Sequence, residues 1–181
     1  FDKLMDSVLN VDPVYFCEEN LTLDGKPFRL RKNGYKPFVD IYRYIGIKAL
    51  EKVSKPVIIV KGRQTSGTTM AMSLEMYFMG SGLFGVGNNP PMRIIHAFPQ
   101  LEMAAVYYKT KLNPMINDSW IDPEDLKGGK NVKVKSYMQK LLDQTSATND
   151  SLSFKQFVNG NHLWIDSTGI DADRLRGRSA D

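Results

Sequence analysis

Between Val60 and Met70 the chain reads V-K-G-R-Q-T-S-G-T-T-M, a run of glycines, hydroxyls and cations spaced as phosphate binding requires. Gly62 and Gly67 keep the separation of the two glycines in G-x-x-x-x-G-K-[ST]. In that pattern, backbone N–H groups surround the phosphates, the lysine reaches them and the hydroxyl ligates Mg²⁺. Here the lysine position holds Thr68. The missing charge has two candidate sources, Lys61 at the front of the loop and Arg63 two residues later, and arginine can contact two oxygens at once. Thr68 or Thr69 supplies the hydroxyl for Mg²⁺. A small residue is needed where the backbone nears phosphate: Gly67, or Ser66 in the other register. The plain competitor is a glycine-bearing strand-to-helix turn with Lys61 as a solvated strand-end charge.

Such a loop works only between a strand and a helix, because the strand fixes its entry and the helix N-terminus adds partial positive charge. Pro56–Val60 (PVIIV) is short, apolar and β-branched, as expected of a strand buried on both faces of a parallel sheet. Thr68–Gly80 lacks breakers and reads as a helix packed on a sheet, closed by Gly80 and Gly82. Met92–Phe98 predicts a second strand, ended by Pro99, and Gln100–Ile116 resumes a helical pattern. Upstream, Phe38, Ile41, Tyr42, Ile45 and Ala49 recur at helical spacing after Pro37, so a helix is expected to end near Lys52.

The first thirty residues read as irregular, with Pro13, Gly25 and Pro27 as breakers, followed by the basic positions Arg29, Arg31, Lys32 and Lys36. S-W-I-D-P-E-D-L reads as a turn or a short helix start, and K-G-G-K-N-V-K-V-K as a basic loop entering an edge strand. Two alternating segments flank Asn159-Gly160, a hairpin signal. The expected fold is α/β, a mainly parallel sheet flanked by helices with a β-hairpin near the C-terminal end. Residues 1–36 form a lead-in and 37–181 the main domain; no internal repeat is visible.

Composition narrows the class. With 181 residues, 42% hydrophobic and 24% charged, the chain suits one globular domain with a sizeable core. A single cysteine, Cys17, cannot form an internal disulfide and points to a reducing compartment. His96 and His162 with one cysteine fall short of a zinc site, and His96 on an apolar strand reads as a satisfied core histidine, not a base. No apolar run approaches the roughly 20 residues of a membrane span, and the N-terminal residues lack signal-peptide order. A net charge of +4 suits a nucleic-acid or polyphosphate partner as well as an ordinary solvated surface. Asp122-Pro-Glu-Asp125 could pair carboxylates for nuclease metals, but acids beside proline are the usual residues of a helix start.

K-G-R-Q-T-S-G-T-T-M resembles the deviant phosphate loop of the large subunit of bacteriophage terminase, in which lysine stands at the front as K-x-R-Q-x-G-x-[ST]. Aligned without a gap, Lys61, Arg63 and Gln64 match, Thr68 takes the hydroxyl position and Ser66 stands for the glycine. Aligned to the ordinary loop, Gly67 is the glycine and Thr69 the hydroxyl. Met92–Ile116 is similar to the family's second strand and helix. F-V-N-G-N-H-L-W-I-D-S-T-G-I-D-A-D-R-L-R-G-R-S-A-D is similar to its hairpin and the L-R-G run before the acidic strand.

The resemblance implies an ATPase that drives double-stranded DNA into a procapsid in the host cell cytoplasm. ATP is then held by Lys61, Gly62, Arg63, Gln64, Thr65, Ser66, Gly67, Thr68 and Thr69. It implies a homo-oligomeric ring, a portal, a small terminase subunit and no membrane as partners, with Arg176 reaching a neighbouring subunit's site. The acidic strand with the Walker B aspartate and the catalytic glutamate is expected beyond Asp181. Adenine would meet Tyr35 or Phe38, which serve equally well as core residues. Arg176, with Arg174 and Arg178, has the alternative of a surface salt bridge to Asp171 or Asp173.

Two other functions fit parts of the pattern. A helicase-like or kinase-like enzyme shares the loop, though no further helicase motif is visible. A degenerate loop in a DNA-binding or assembly module without hydrolysis fits Thr68 in the lysine position. Lys130, Lys133, Lys135 and Lys140 would then meet the DNA backbone in a salt-sensitive way.

Overall fold

The computed structural model describes residues 11–32, 36–51, 57–59, 67–119, 121, 135–145 and 149–167. Asp12 opens α1 (Pro13–Asn20) by accepting the Val14 N–H at 2.9 Å. Pro13 sits in the first turn, where its missing N–H costs nothing. Leu21, Phe28 and Leu30 bury beside Val14, Phe16 and Cys17, and β1 (Thr22–Leu23) pairs with β2 (Lys26–Pro27) across an Asp24-Gly25 turn. The irregular lead-in expected for residues 1–36 is therefore corrected over 11–32. Pro13 starts a helix, it does not break one.

Glu18 on α1 pins the end of this segment. Its carboxylate accepts the Arg31 backbone N–H at 2.7 Å and the guanidinium Nε–H at 2.8 Å. Burial alone would raise the Glu18 carboxyl, but the Arg31 contacts prevail and hold it below its ordinary value. The sign follows: a carboxyl depressed in the folded state contributes fully above its ordinary value of 4.5 and is lost as pH falls through the lower folded value. Thermal midpoints are thus expected to drop below about pH 4.5, and Glu18→Gln to flatten that drop in a pH series of melting curves.

A 3-10 turn (Lys36–Phe38) leads into α2 (Val39–Leu50), close to the bounds expected from its periodicity. Tyr42 and Gly46 are buried, and Phe38, Val39, Ile41 and Ile45 pack on the core. Val57, Ile58 and Ile59 belong to no strand and are exposed, Ile58 at 83%. The expected buried strand at Pro56–Val60 is corrected here, its end residues lying outside the described ones. An apolar, β-branched run is only half of what a strand needs. The other half is a hydrogen-bonding neighbour, and no described strand pairs with it.

The centre is α3 (Gly67–Gly80), which buries Met70, Met72, Leu74, Met76, Tyr77 and Met79. A helix apolar on most of its circumference must be covered on most sides. β3 (Arg93–Phe98) follows. The next helical stretch begins as α4 (Leu101–Tyr107), widens into a π turn (Tyr108–Leu112) and ends as α5 (Asn113–Asn117). Pro114 explains the widening. It cannot donate to the carbonyl four residues back and its ring crowds that carbonyl. The Asn113 N–H reaches Tyr108 O instead, and the Thr110 hydroxyl donates to Val106 O at 2.8 Å.

A capping box of Ser136 and Gln139 starts α6 (Tyr137–Leu141). The hairpin of β4 (Phe154–Gln156) and β5 (His162–Ser167) turns at Asn159-Gly160, as expected, with Gly160 at φ +84°. The strand order is β3-β5-β4. β5 runs parallel to β3, in register from Arg93 opposite His162 to Phe98 opposite Ser167, and antiparallel to β4. The architecture is mixed α/β, with one small antiparallel sheet and one mixed sheet containing a parallel pair. The basic loop and edge strand expected over Lys127–Lys135 and the turn or short helix start over Ser119–Leu126 lie outside the described residues, except Ser119, Ile121 and Lys135.

Candidate functional site

Of the nine loop residues, the structure places Gly67, Thr68 and Thr69, which form the first turn of α3; Lys61–Ser66 and Arg176 lie outside the described residues. First-turn N–H groups have no partner within their own helix, and the helix end carries partial positive charge. Thr68 is exposed and Thr69 half-buried in this turn, and no acidic side chain occupies it. That donor set fits a phosphate and its Mg²⁺. Among the described residues, no cluster of three or more His, Cys, Asp or Glu could hold a metal ion.

Behind this turn the rest of α3 is firmly held. The buried Ser73 hydroxyl lies 2.8 Å from Thr69 O and 3.1 Å from Met70 O. It has a single proton to give, so Tyr42, at 2.5 Å, donates to Ser73. α2 is thereby tied to α3 one turn behind the candidate site. Buried Cys17 donates weakly to Ser73 O at 3.5 Å, and burial pushes its thiol well up, away from thiolate chemistry. The Tyr77 hydroxyl reaches Val11 O at 2.8 Å.

The far end of α3 is capped from the hairpin. Buried Asn161 accepts the Met92 N–H at 2.8 Å and donates to Phe78 O and Met79 O, both at 3.1 Å. Asn159 donates to Met79 O and Tyr137 to Gly80 O. The last carbonyls of a helix need such partners. This docking needs a glycine at 85: φ is +73° there, and a Cβ would stand 2.0 Å from Asn159 O. Gly85→Ala is expected to lower stability by about 3 kcal/mol, combining left-handed strain with a backbone shift. Gly82→Ala, at φ +74° with nothing within 4 Å, should cost about 1 kcal/mol. Equal costs in denaturant titrations would show that crowding at Asn159 is irrelevant.

Midway along α3 lies a group that pattern reading missed. Glu75, buried, is paired with Nδ1 of His96 on β3 and accepts the Tyr107 hydroxyl of α4 at 2.8 Å. His96 stacks on Phe98 at 4.4 Å, 4° from parallel. Burial, then the Glu75 charge, pushes the Tyr107 phenol far up, so it stays a donor. His96 is a satisfied histidine, in line with its sequence context. The only local signal for the cluster was one acid inside an apolar helix.

Other candidates divide. Phe38 packs against the core, its ordinary use, and Tyr35 lies outside the described residues. Lys135 donates to Gln144 Oε1 at 2.7 Å, while Lys130 and Lys133 lie outside the described residues. Lys155 on β4, 1% exposed, is paired with Asp150, donates to Tyr108 OH at 3.0 Å and lies 4.4 Å from that ring's centre. A cation so enclosed is a structural tie. Among the described residues, no helix is long and apolar enough to cross a membrane.

No family model, no curated protein and no solved structure matches the chain.

Proposed function

We propose that the chain is the ATP-binding and ATP-hydrolysing module of a viral motor that drives double-stranded DNA into a procapsid. The observation that carries the proposal is the start of α3. The helix opens at Gly67, placing Thr68 and Thr69 in a carboxylate-free first turn directly after K-G-R-Q-T-S. The helix side of the strand–loop–helix unit and a parallel β3–β5 pair favour this reading, while the strand expected ahead of the loop is not formed at Val57–Ile59.

In this account Lys61 and Arg63 neutralise the phosphates, and loop and first-turn N–H groups, from Gly62 through Gln64, Thr65 and Ser66 to Thr69, orient them. The Thr68 or Thr69 hydroxyl would hold Mg²⁺, which when bound would neutralise negative charge on the phosphates. Arg176 reaches the site of a neighbouring subunit in a homo-oligomeric ring. The portal, the small terminase subunit and DNA are the partners, and the host cell cytoplasm is the place of action.

The test is equilibrium binding of Mg·ATP to this chain, followed in the intact subunit by hydrolysis with and without duplex DNA. Binding at the loop and DNA-stimulated turnover support the proposal. A second function is favoured by Thr68 in the lysine position: a degenerate loop in a DNA-binding or assembly module. Salt-sensitive DNA binding with no nucleotide binding in either form would select it.

A further inference from the structure

We propose that Glu75 is a positioning residue for the candidate nucleotide site, setting the register of α3 against β3 and α4 and thereby the place of Gly67–Thr69. The inference rests on the nucleotide-binding function proposed above and adds to it a determinant that touches no nucleotide. Glu75 is the only charged residue of α3, eight positions after Gly67, or about 12 Å along the axis at 1.5 Å per residue.

A buried carboxylate is costly unless both oxygens find donors. Here Oε1 is paired with His96 Nδ1 and Oε2 accepts from Tyr107, so two elements meet one side chain. The partners are themselves fixed: the rings of His96, Phe98 and Tyr107 form a triangle with centres 4.4, 4.5 and 5.0 Å apart. The surrounding core contacts of α3 are largely methionines, Met72, Met76 and Met79, which are unbranched and adapt to small slides of a helix. Apolar packing of that kind tolerates more than one register. Buried polar contacts do not: Tyr42–Ser73 holds α3 against α2 and Asn161 holds its end at the hairpin, while Glu75 holds it against β3 and α4, and fixing register is the best-attested use of such contacts.

Stability and register are separable by experiment. In Glu75→Met/His96→Leu/Tyr107→Phe the whole cluster becomes apolar, a change that commonly leaves stability equal or greater. The expected result is an unfolding temperature at or above that of the unaltered chain, with Mg·ATP bound about tenfold more weakly, the scale of one lost charged hydrogen bond. The milder Tyr107→Phe, which keeps the ring packing, serves if the triple variant does not fold, and should weaken binding several-fold. Wild-type affinity in either folded variant overturns the positioning role while leaving nucleotide binding intact. Failure of the unaltered chain to bind Mg·ATP overturns both.

Discussion

Lys61→Ala is expected to lower ATP turnover of the intact subunit by roughly 10²- to 10⁴-fold. The range follows from losing two charge-assisted contacts at about 1.5–3 kcal/mol each. No lysine lies between Gly62 and Thr69, so no other ammonium of the loop can replace it. Arg63 remains in the variant and leaves residual binding, so the loss should fall more on turnover than on affinity. Lys61→Arg, keeping the charge but not its point geometry, should recover part of the rate. Near-normal turnover of Lys61→Ala would mean that the displaced lysine does not serve the phosphates.

Arg176→Ala is expected to cost roughly 10³-fold or more in turnover, the scale of an arginine supplied to charge developing on the transferred phosphoryl. Its signature is complementation. If Arg176 acts in a neighbour's site, mixing Arg176→Ala with Lys61→Ala subunits restores part of the turnover, because a Lys61→Ala subunit can supply the arginine to the intact loop of an Arg176→Ala neighbour. No recovery on mixing would place Arg176 within its own subunit, as a salt bridge to Asp171 or Asp173 would.

Much of the frame was legible because its signals are local. The breaker-free stretch Thr68–Gly80, the Ile94-Ile95 core of Arg93–Phe98 and Asn159-Gly160 each determine their own element, and helix, strand and hairpin stand where those residues predict. Position-dependent residues misled. Pro13 looks the same as a breaker and as a first-turn residue until Asp12 is seen capping α1. Pro114 widens a helix without ending it, and a period of 3.6 residues passes through the π turn unmarked.

Pairing was the deeper gap. Val57–Ile59 has strand composition, but a strand exists only with a neighbour, which composition does not encode. The Glu75 cluster was invisible for a related reason. His96 and Tyr107 lie 21 and 32 residues from Glu75 and meet it only once α3, β3 and α4 have packed. At the loop itself, residue types and spacing give the expectation of phosphate chemistry, and the structure adds the first turn of α3.

A structure of the chain with Mg²⁺ and a non-hydrolysable ATP analogue tests the displaced-lysine account most directly. The prediction is Lys61 Nζ within about 3 Å of phosphate oxygens, with the Thr68 or Thr69 hydroxyl on the metal. A nucleotide bound elsewhere on the molecule, with the Lys61 ammonium turned into open water, would contradict it.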